Sequence, residues 1–315
     1  MVIYLAKRLL SLIPVLFTVS IAIFLIIHIT PGDPATVILG DEASPEELKE
    51  LRTELGLDQP ILQQYLSWLT SVISGDFGDS YFMHQPVITA IIEHLGPTLS
   101  LALIAQFLSL VIAIPLGIIA AKKRGTMIDQ GVMTVSLFGM SLPSFLLGLL
   151  LILIIGVSLR WLPVAGYAPL SEGFWEHYKY LLMPSIALGA IQSALIARMT
   201  RSSMLDVLNM DFIKTAKAKG IHENKIIFIH AFRNAFLPIL TVIGQTFGTL
   251  IAGAVVTETI FNIPGLGQLV INSVERRDYP MIQGVVLFVT LSYVFINLVI
   301  DILYGFIDPR VRVEK

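Results

Sequence analysis

The sequence predicts an all-α membrane protein with six transmembrane helices, and three observations support this prediction. Hydrophobic residues make up 55% of the 315 residues and charged residues only 14%, whereas a soluble domain carries roughly 25% charged residues. Six apolar runs are long enough to cross a bilayer, which takes about 20 residues. Lysine and arginine fall mostly in alternate connections between these runs, as in multi-pass membrane proteins.

The six predicted spans differ in how clearly they are marked. The first follows Lys7 and Arg8, and its apolar core is too long for a signal peptide, so residues 1–29 are interpreted as a retained membrane anchor. The third contains Pro143, which predicts a kink. The predicted spans are Leu9–Ile29, Thr98–Ala121, Val132–Leu159, Tyr180–Met199, Phe236–Val256 and Met281–Ile307.

The distribution of positive charge predicts the orientation in the membrane. If the N-terminus is cytoplasmic, 15 of the 21 lysines and arginines lie on the cytoplasmic side and 6 lie outside. Such a bias follows the positive-inside rule. We therefore expect a multi-pass protein of the cell membrane with both termini in the cytoplasm, including a tail at 308–315.

The segment 30–96 is too long for a simple connection and predicts a small helical insertion on the extracytoplasmic side. Ser44, Pro45 and Glu47 form the pattern of a helix start with a capping box. A second helix is expected from Pro60 to Gly75. The segment carries eleven acidic residues against two basic ones, which is compatible with a solvated cap or with a docking surface for an outer partner.

The outer segment 257–280 interrupts the fifth apolar run. Pro264, Gly265 and Gly267 break the helix before an apolar stretch resumes. Non-helical backbone near a membrane is tolerated where protein or a water-filled cavity surrounds it. An ordinary re-entrant turn fits this pattern, as does a lid over a pathway, and we interpret these three residues as a lid.

No pattern in the chain indicates enzymatic chemistry. The sequence holds no Gly-Lys pair, so no phosphate-binding P-loop is present, and the histidine-zinc and nucleophile-elbow motifs are also missing. Its six histidines lack metal-ligand spacing, and it has no cysteine. We therefore predict no catalytic residue, no metal and no cofactor in this chain. The net charge of −2 argues against a nucleic-acid partner.

Mildly polar residues within the apolar runs are candidates for a translocation pathway. Polar side chains inside a membrane often mark such a pathway, although they also join helices to one another. We assign five candidates, and both interpretations stay open for each of them: Gln106, Ser141, Gln192, Gln245 and Thr249.

A basic, partly amphipathic segment at 211–238 separates the fourth and fifth apolar runs. Asp211 stands near the start of a predicted short helix, where a carboxylate suits the helix dipole. Phe212, Ala216 and Lys219 share one predicted face, and Gly220 ends the helix. Such a helix suits a groove in a soluble protein, but a basic helix lying on anionic lipid has the same composition.

The sequence of this segment resembles that of one known family. The stretches "RMTRSSMLDVLNMDFIKTAKAKG" and "HAFRNAFLPILTVIG" resemble the coupling loop of binding-protein-dependent ABC importer permeases of the dipeptide, oligopeptide, nickel and glutathione group. The resemblance extends over the whole chain, in the order of that family, through "PGDP", "LGLDQP", "GDFG", "FNIPGLGQL", "RRDYP" and "DILYGFIDPRVR".

The resemblance implies a type I ABC importer permease fold, with a core over 97–307 and a cytoplasmic coupling loop over 200–235. It implies a second homologous permease subunit, two cytoplasmic ATPases that bind ATP and magnesium, and an extracytoplasmic solute-binding protein. It does not distinguish among dipeptides, oligopeptides, glutathione and nickel chelates as the substrate.

The resemblance also implies which residues couple transport to the ATPases. The broader importer pattern is Glu-Ala-Ala, three residues and Gly; here Lys214 replaces the glutamate, while Gly220 is in place. A salt bridge of that glutamate therefore cannot be carried over. The implied coupling residues are Asp211, Thr215, Ala216, Lys219 and Gly220, with Arg233 and Asn234 bracing the loop.

Two other classes of function compete with the importer permease. A stand-alone secondary transporter would drive uptake with an ion gradient, independently of ATP. A membrane-bound docking protein would bind partners without moving any substrate.

Overall fold

The computed structural model describes residues 2–29, 33–40 and 43–307, and the described part of the chain is helical without a β-sheet. One isolated antiparallel bridge joins Asp79 to Pro86. The predicted tail 308–315 and the first two residues of "PGDP" lie outside the described residues.

Fourteen α-helices follow one another in the described residues. Two π-helical segments, Ile152–Ser158 and Ile226–Ala231, continue α7 and α10, respectively. The helices are α1 (Val2–Ile29), α2 (Pro34–Leu39), α3 (Pro45–Glu54), α4 (Ile61–Ile73), α5 (Val87–Lys122), α6 (Met127–Ser141), α7 (Ser144–Leu151), α8 (Phe174–Leu208), α9 (Asp211–Ala218), α10 (Glu223–Lys225), α11 (Phe232–Gly253), α12 (Val255–Phe261), α13 (Leu266–Arg276) and α14 (Tyr279–Ile307).

Four helical stretches among the described residues are long and apolar enough to cross a membrane, and one broken pair is a fifth candidate. The apolar stretch found within α1, Leu12–Leu25, is shorter. An all-α membrane protein is confirmed, whereas the count of six spans stays a prediction. The four stretches are Val87–Lys122, Phe174–Leu208, Glu223–Ile251 and Tyr279–Ile300.

The kink predicted at Pro143 is present and is a sharp one. The third predicted span consists of α6 and of α7 with its π-helical end, and the two parts are bent by 97°. Leu142, which precedes the proline, has an extended backbone with ψ of 123°. A residue before proline disfavours the helical conformation, so the helix ends there and a new one starts behind the proline.

α5 and α8 pack closely, and two glycines allow the contact. A Cβ atom on Gly117 of α5 would lie 2.6 Å from the Cβ of Thr200, and one on Gly189 of α8 would lie 2.9 Å from the carbonyl oxygen of Ala105. Small residues let membrane helices approach until their backbones nearly touch. Both helices exceed 30 residues, so each extends beyond the hydrocarbon core of the bilayer.

The helices predicted for the segment 30–96 are present. The N–H of Ser44 donates to the Glu47 carboxylate over 2.8 Å, and the Glu47 N–H donates back to the Ser44 hydroxyl over 3.3 Å, which completes the predicted capping box. α4 begins right after Pro60, as expected. The helix of the second predicted span starts eleven residues earlier than predicted, at Val87 instead of Thr98.

The buried carboxylate of Asp278 joins the 79–86 turn to the start of α14. Asp278 is 3% exposed, and it accepts a short hydrogen bond from the Ser80 hydroxyl. The backbone N–H groups of Tyr81 and Met281 point at the same carboxylate over 3.4 Å each. The beginning of α5 and the beginning of α14 are therefore held side by side.

A buried ion pair joins α6 to α8. The Nε and Nη2 atoms of Arg201 contact the two carboxylate oxygens of Asp129 over 2.5 and 2.8 Å. The Gly125 N–H donates to the same carboxylate over 2.9 Å. Asp129 is 4% exposed. This two-pronged geometry fixes the loop between α5 and α6 against the last turns of α8.

We predict that Asp129→Asn lowers the free energy of unfolding by about 2 to 3 kcal/mol. Breaking a fully buried pair costs about 3 to 5 kcal/mol, and the loss here is smaller because a quarter of the Arg201 side chain is exposed. Denaturant titration of the detergent-solubilised protein, followed by tryptophan fluorescence, measures the change. Asp206→Asn, on the exposed side of α8, is the control and should leave the midpoint unchanged; equal midpoints for both variants would contradict the prediction.

Candidate functional site

The short helix α9 carries the basic segment singled out from the sequence. Asp211 begins it, and the Asp211 carboxylate accepts a hydrogen bond from Lys214 Nζ over 2.8 Å. The Thr215 hydroxyl donates to the Asp211 carbonyl over 3.1 Å. The predicted helix is thus present at the predicted place, and the charged side chains of its first turn point to the surface.

One side of α9 is buried and the other is exposed. Ile213 is fully buried and Ala216 is 8% exposed, whereas Phe212 is 42% exposed. The three residues predicted to share a face therefore divide between two environments: Ala216 packs inward, and Phe212 and Lys219 face outward. Ala216 accordingly holds the helix in place, and the surface open to a partner is formed by the remaining residues, Asp211, Phe212, Lys214, Thr215, Lys217, Ala218 and Lys219.

The buried side of α9 belongs to an apolar cluster at one end of the long helices. Ile213 and Ala216 share this cluster with residues of α5, α8, the second π-helical segment and α11, including Ile118, Met204, Ile227 and Ala235. Lys122, the last residue of α5, also forms a 3.5 Å ion pair with Glu223, the first residue of α10. The same cluster therefore joins α9 to the ends of three long helices.

Gly220 ends α9 as predicted. Its φ of +73° lies in the left-handed region, and a Cβ there would have no neighbour within 4 Å. The backbone conformation, and not a lack of space, therefore calls for glycine. The Gly220 N–H donates to the Lys217 carbonyl over 2.9 Å, and the chain turns directly into α10.

Arg233 and Asn234, predicted to brace the loop, are exposed in the first turn of α11. The Asn234 side chain donates to the His230 carbonyl of the preceding π-helical segment over 2.6 Å. Within the described ranges, the hydrogen bonds and ion pairs do not join Arg233 or Asn234 to α9. The bracing role of Arg233 and Asn234 stays a prediction, and α9 itself is held in place by the buried apolar cluster, which the sequence pattern did not reveal.

Three of the five predicted pathway residues lie along one thread of polar groups between α5, α8 and α11. The Thr246 hydroxyl lies 3.4 Å from Gln106 Oε1. Thr249 donates to the Thr246 carbonyl over 2.8 Å and accepts from Gln192 Nε2 over 3.3 Å. The buried Gln106 Nε2 and Gln192 Oε1 atoms have no hydrogen-bond partner in the described structure, so they can bind a polar group that comes between the helices.

The other two pathway candidates lie apart from this thread. Ser141 donates to the Leu137 carbonyl of its own helix over 2.9 Å, and Gln245 is exposed on α11. Thr246, which connects Gln106 to Thr249, is not among the five candidates, because the sequence does not show which polar residue of this apolar run faces Gln106.

The outer break after the fifth apolar run is organised by the buried carboxylate of Glu258 in α12. Glu258 is fully buried. It accepts hydrogen bonds from the Thr98 hydroxyl over 2.6 Å and from the N–H groups of Gly267 and Gln268 over 2.8 and 3.1 Å. The Leu266 N–H donates to the Thr98 hydroxyl over 2.8 Å. A carboxylate thus satisfies the free donors at the start of α13, where it also complements the helix dipole.

Two of the three predicted lid residues are glycines for a steric reason. A Cβ on Gly265 would lie 2.4 Å from the Glu258 carboxyl group, and one on Gly267 would lie 2.4 Å from the Cα of Val255. Pro264 stands exposed at the tip, behind Asn262 with its left-handed φ of +50°. We call α12, the turn at 262–265 and α13 the outer hairpin.

Sequence reasoning missed Glu258, the residue that holds the outer hairpin together. Its closest side-chain partner, Thr98, is 160 residues away in the chain, so no local pattern connects them. The available signal was a glutamate within the otherwise uncharged stretch from 236 to 274, since an ionisable residue that a membrane chain buries needs a partner.

We predict that Glu258→Gln loosens the outer hairpin and lowers the free energy of unfolding by about 1 to 3 kcal/mol. The amide keeps the shape of the side chain but replaces one acceptor oxygen by a donor, so either the Thr98 hydroxyl or the N–H groups of Gly267 and Gln268 lose their acceptor. The unfolding midpoint in detergent measures the effect. Glu275→Gln, on the exposed side of α13, is the control; a midpoint for Glu258→Gln equal to that of the control would refute the assignment.

Two family models cover almost the whole chain. The model described as binding-protein-dependent transport system inner membrane component matches residues 113–313. The model of the N-terminal part of such membrane components matches residues 1–102. The first match alone covers more than half of the chain and includes α9 and the outer hairpin.

Curated relatives match over nearly their full length. A probable peptide ABC transporter permease protein of Sinorhizobium fredii is 42% identical over 98% of this chain and 99% of its own length. A putative peptide transport system permease protein of Brucella abortus is 44% identical over 98% of each chain. The glutathione transport system permease protein GsiC of Escherichia coli is 43% identical over 98% of each chain.

Solved structures of a more distant transporter share the fold. An inward-facing conformation of the MetNI methionine ABC transporter superposes with a TM-score of 0.58 at 18% identity, covering 70% of this chain and 96% of that chain. This similarity establishes the type I ABC permease fold alone. Together, this fold, the family models and the relatives identify the chain as a multi-pass inner membrane protein and a non-enzymatic subunit. They favour an importer permease over a stand-alone secondary transporter. The chain belongs to the family of inner membrane components of binding-protein-dependent transport systems, the permeases of ABC importers.

Proposed function

We propose that the chain is one of two permease subunits that form the pathway of an importer for peptides or a peptide-like solute such as glutathione. The names of the relatives support this substrate class, since they are described as peptide and glutathione permeases. The proposed partners are a second homologous permease, two cytoplasmic ATPases that carry the ATP and magnesium, and an extracytoplasmic solute-binding protein. Both termini are placed in the cytoplasm by the distribution of positive charge.

The exposed surface of α9 is the proposed contact with an ATPase. This helix presents Phe212, Thr215 and three lysines outward, while Ile213 and Ala216 fix it from behind. A short helix that offers an aromatic side chain and charged residues around it suits a groove on a soluble protein. The observation that carries the proposal is that one side of α9 is buried while the other is exposed. A contact helix has to be both accessible to its partner and firmly joined to the moving spans.

The apolar cluster behind α9 is the proposed route by which ATPase closure reaches the membrane. The cluster connects α9 to the ends of α5, α8 and α11, and the Asp129–Arg201 ion pair adds α6 through the last turns of α8. Closely packed helix ends move together because their contacts do not stretch. A push on α9 then changes the relative positions of these helices, which is the two-state transition that alternating access needs.

The thread of Gln106, Thr246, Thr249 and Gln192 is the proposed polar lining of the pathway. It runs between the three helices that the cluster behind α9 joins, and it holds one unpaired amide atom at each end, Gln106 Nε2 and Gln192 Oε1. Peptide bonds offer the matching donors and acceptors. Uncharged side chains of this kind offer a substrate hydrogen-bond partners without placing a fixed charge in the membrane. This fits an importer whose binding protein selects the substrate.

The outer hairpin is the proposed lid at the extracytoplasmic end of the pathway. It is joined to α5 through the Glu258–Thr98 hydrogen bond, so a shift of α5 moves the hairpin as well. Pro264 at its exposed tip is the first part to meet a docked solute-binding protein.

We predict that this chain supports ATP-dependent uptake of peptides. The complete complex, purified from its native membrane and reconstituted in vesicles with its binding protein, should accumulate tritiated dipeptides or glutathione only when ATP is supplied on the ATPase side. A non-hydrolysable ATP analogue is the control and should give no uptake. Accumulation that ignores ATP and follows a proton or sodium gradient would contradict the proposal.

We predict that Gly220→Val reduces ATP-driven uptake at least tenfold while the amount of protein in the membrane stays unchanged. Valine does not adopt the φ of +73° found at Gly220 without strain, so the end of α9 changes direction and leaves the ATPase groove. Transport assays and immunoblots of membranes measure both quantities.

Gly75→Val provides the matched control for this variant. Gly75 also ends a helix, has a φ of +89° and has open space around its Cβ position, but it lies on the predicted outer side. The control should retain uptake. Normal uptake by Gly220→Val would remove α9 from the coupling mechanism.

A further inference from the structure

Helix α4, in the segment predicted to be an extracytoplasmic cap, has three distinct faces. One face packs on α1: Tyr65 is buried, and its hydroxyl lies 2.8 Å from that of Ser20. The rings of Tyr65 and Trp68 contact Phe24 of α1, with centroid distances of 5.4 and 5.9 Å. α4 is therefore attached to the middle and outer part of an apolar helix.

The second face of α4 is apolar and exposed. Leu62, Leu66 and Ile73 are 70%, 51% and 76% exposed, and their spacing of four and seven residues places them on one side of the helix. A cap surrounded by water is not expected to expose three large aliphatic side chains on one side of a helix. α1, which packs on the neighbouring face of α4, also exposes apolar residues, such as Ile13 and Phe17, which are 60% and 53% exposed.

The third face of α4 is polar and lines a cleft. Gln64, Ser67 and Ser71 border a cleft of about 440 Å³, together with Glu54 and Asp76. Hydroxyl, amide and carboxylate groups make this cleft suitable for water. α4 consequently separates a polar cleft on one side from an apolar surface on the other, which is the arrangement of a helix lying at a membrane interface.

The position of Ser20 along α1 fixes how deep α4 reaches. With the inner edge of the hydrocarbon core at Leu9, behind Lys7 and Arg8, and a rise of 1.5 Å per residue, Ser20 lies about 16 Å into a core of about 30 Å. Tyr65 bonds to Ser20 at this level. Tyr65 thus contacts α1 near the middle of the bilayer, and Trp68 contacts Phe24 about 6 Å farther out, so α4 continues from there into the outer half of the bilayer.

We propose that α4 is embedded in the outer leaflet, with Leu62, Leu66 and Ile73 in contact with lipid acyl chains and with Gln64, Ser67 and Ser71 facing a water-filled cleft. Because α4 packs on α1 within the predicted first span, an exposed apolar face at that depth meets acyl chains, so the proposal commits to lipid as the occupant. The proposal does not depend on the substrate or on the coupling role of α9. With α4 in the outer leaflet, part of the segment 30–96 lies in the membrane beside α1 and does not form a detached cap.

Single cysteines test this directly, because the chain has no cysteine of its own. Leu62→Cys, Leu66→Cys and Ile73→Cys are made in the full-length chain, purified with its partner subunits and reconstituted in phosphatidylethanolamine–phosphatidylglycerol vesicles. Ile13→Cys on α1 is the lipid-exposed control, and Ser67→Cys and Glu50→Cys are the aqueous controls. Each thiol is tested with a membrane-impermeant maleimide and, after bimane labelling in detergent, with doxyl-labelled phosphatidylcholine as a quencher.

The expected result is that the three α4 variants react with the maleimide at least tenfold more slowly than Glu50→Cys and are quenched by doxyl lipid as strongly as Ile13→Cys. Ser67→Cys should react quickly and be quenched weakly. Reaction of all three as fast as Glu50→Cys would overturn the proposal, since the face would then be in water. Slow reaction without quenching would overturn it as well, because a protein partner would then cover the face.

Discussion

The burial of Ile213 and Ala216 in the apolar cluster shared with the second π-helical segment, α5, α8 and α11 is the interaction on which the proposed transport mechanism depends. α9 has only eight residues, and an isolated helix of that length is not stable in water. The apolar cluster gives it a fixed place, while its other side stays exposed. The contacts that stabilise α9 also support its proposed coupling role, because a movement of α9 would displace the residues that it packs against.

The opposite end of the molecule, which is predicted to lie outside, is held together by polar contacts. There the helical path breaks, and the donors exposed by the break are satisfied by the carboxylate of Glu258 and the hydroxyl of Thr98. Two glycines let the backbone come close enough to the carboxylate. α5 takes part in both sites, in the apolar cluster at one end and through Thr98 at the other, so one helix connects the proposed ATPase contact with the proposed lid.

Local patterns in the sequence predicted the features that depend on local chemistry. The capping box at Ser44, the kink at Pro143 and the helix end at Gly220 were confirmed because each follows from a few neighbouring residues. The pairs Glu258–Thr98 and Asp129–Arg201 could not be predicted, since their members are 160 and 72 residues apart. The buried side of Ala216 and the place of α4 beside α1 likewise depend on tertiary packing, which leaves no trace in a short window of sequence.

Site-specific photo-crosslinking from α9 tests the central claim most directly. A benzoylphenylalanine introduced at Lys217, which is exposed on α9, is irradiated in intact native membranes, and the products are identified by mass spectrometry. The same residue introduced at Glu50, exposed on α3, is the control. Our account predicts a covalent product of α9 with a P-loop ATPase that the control does not form. Products with lipid alone would show that α9 lies on the membrane surface, and the proposed coupling would then be wrong.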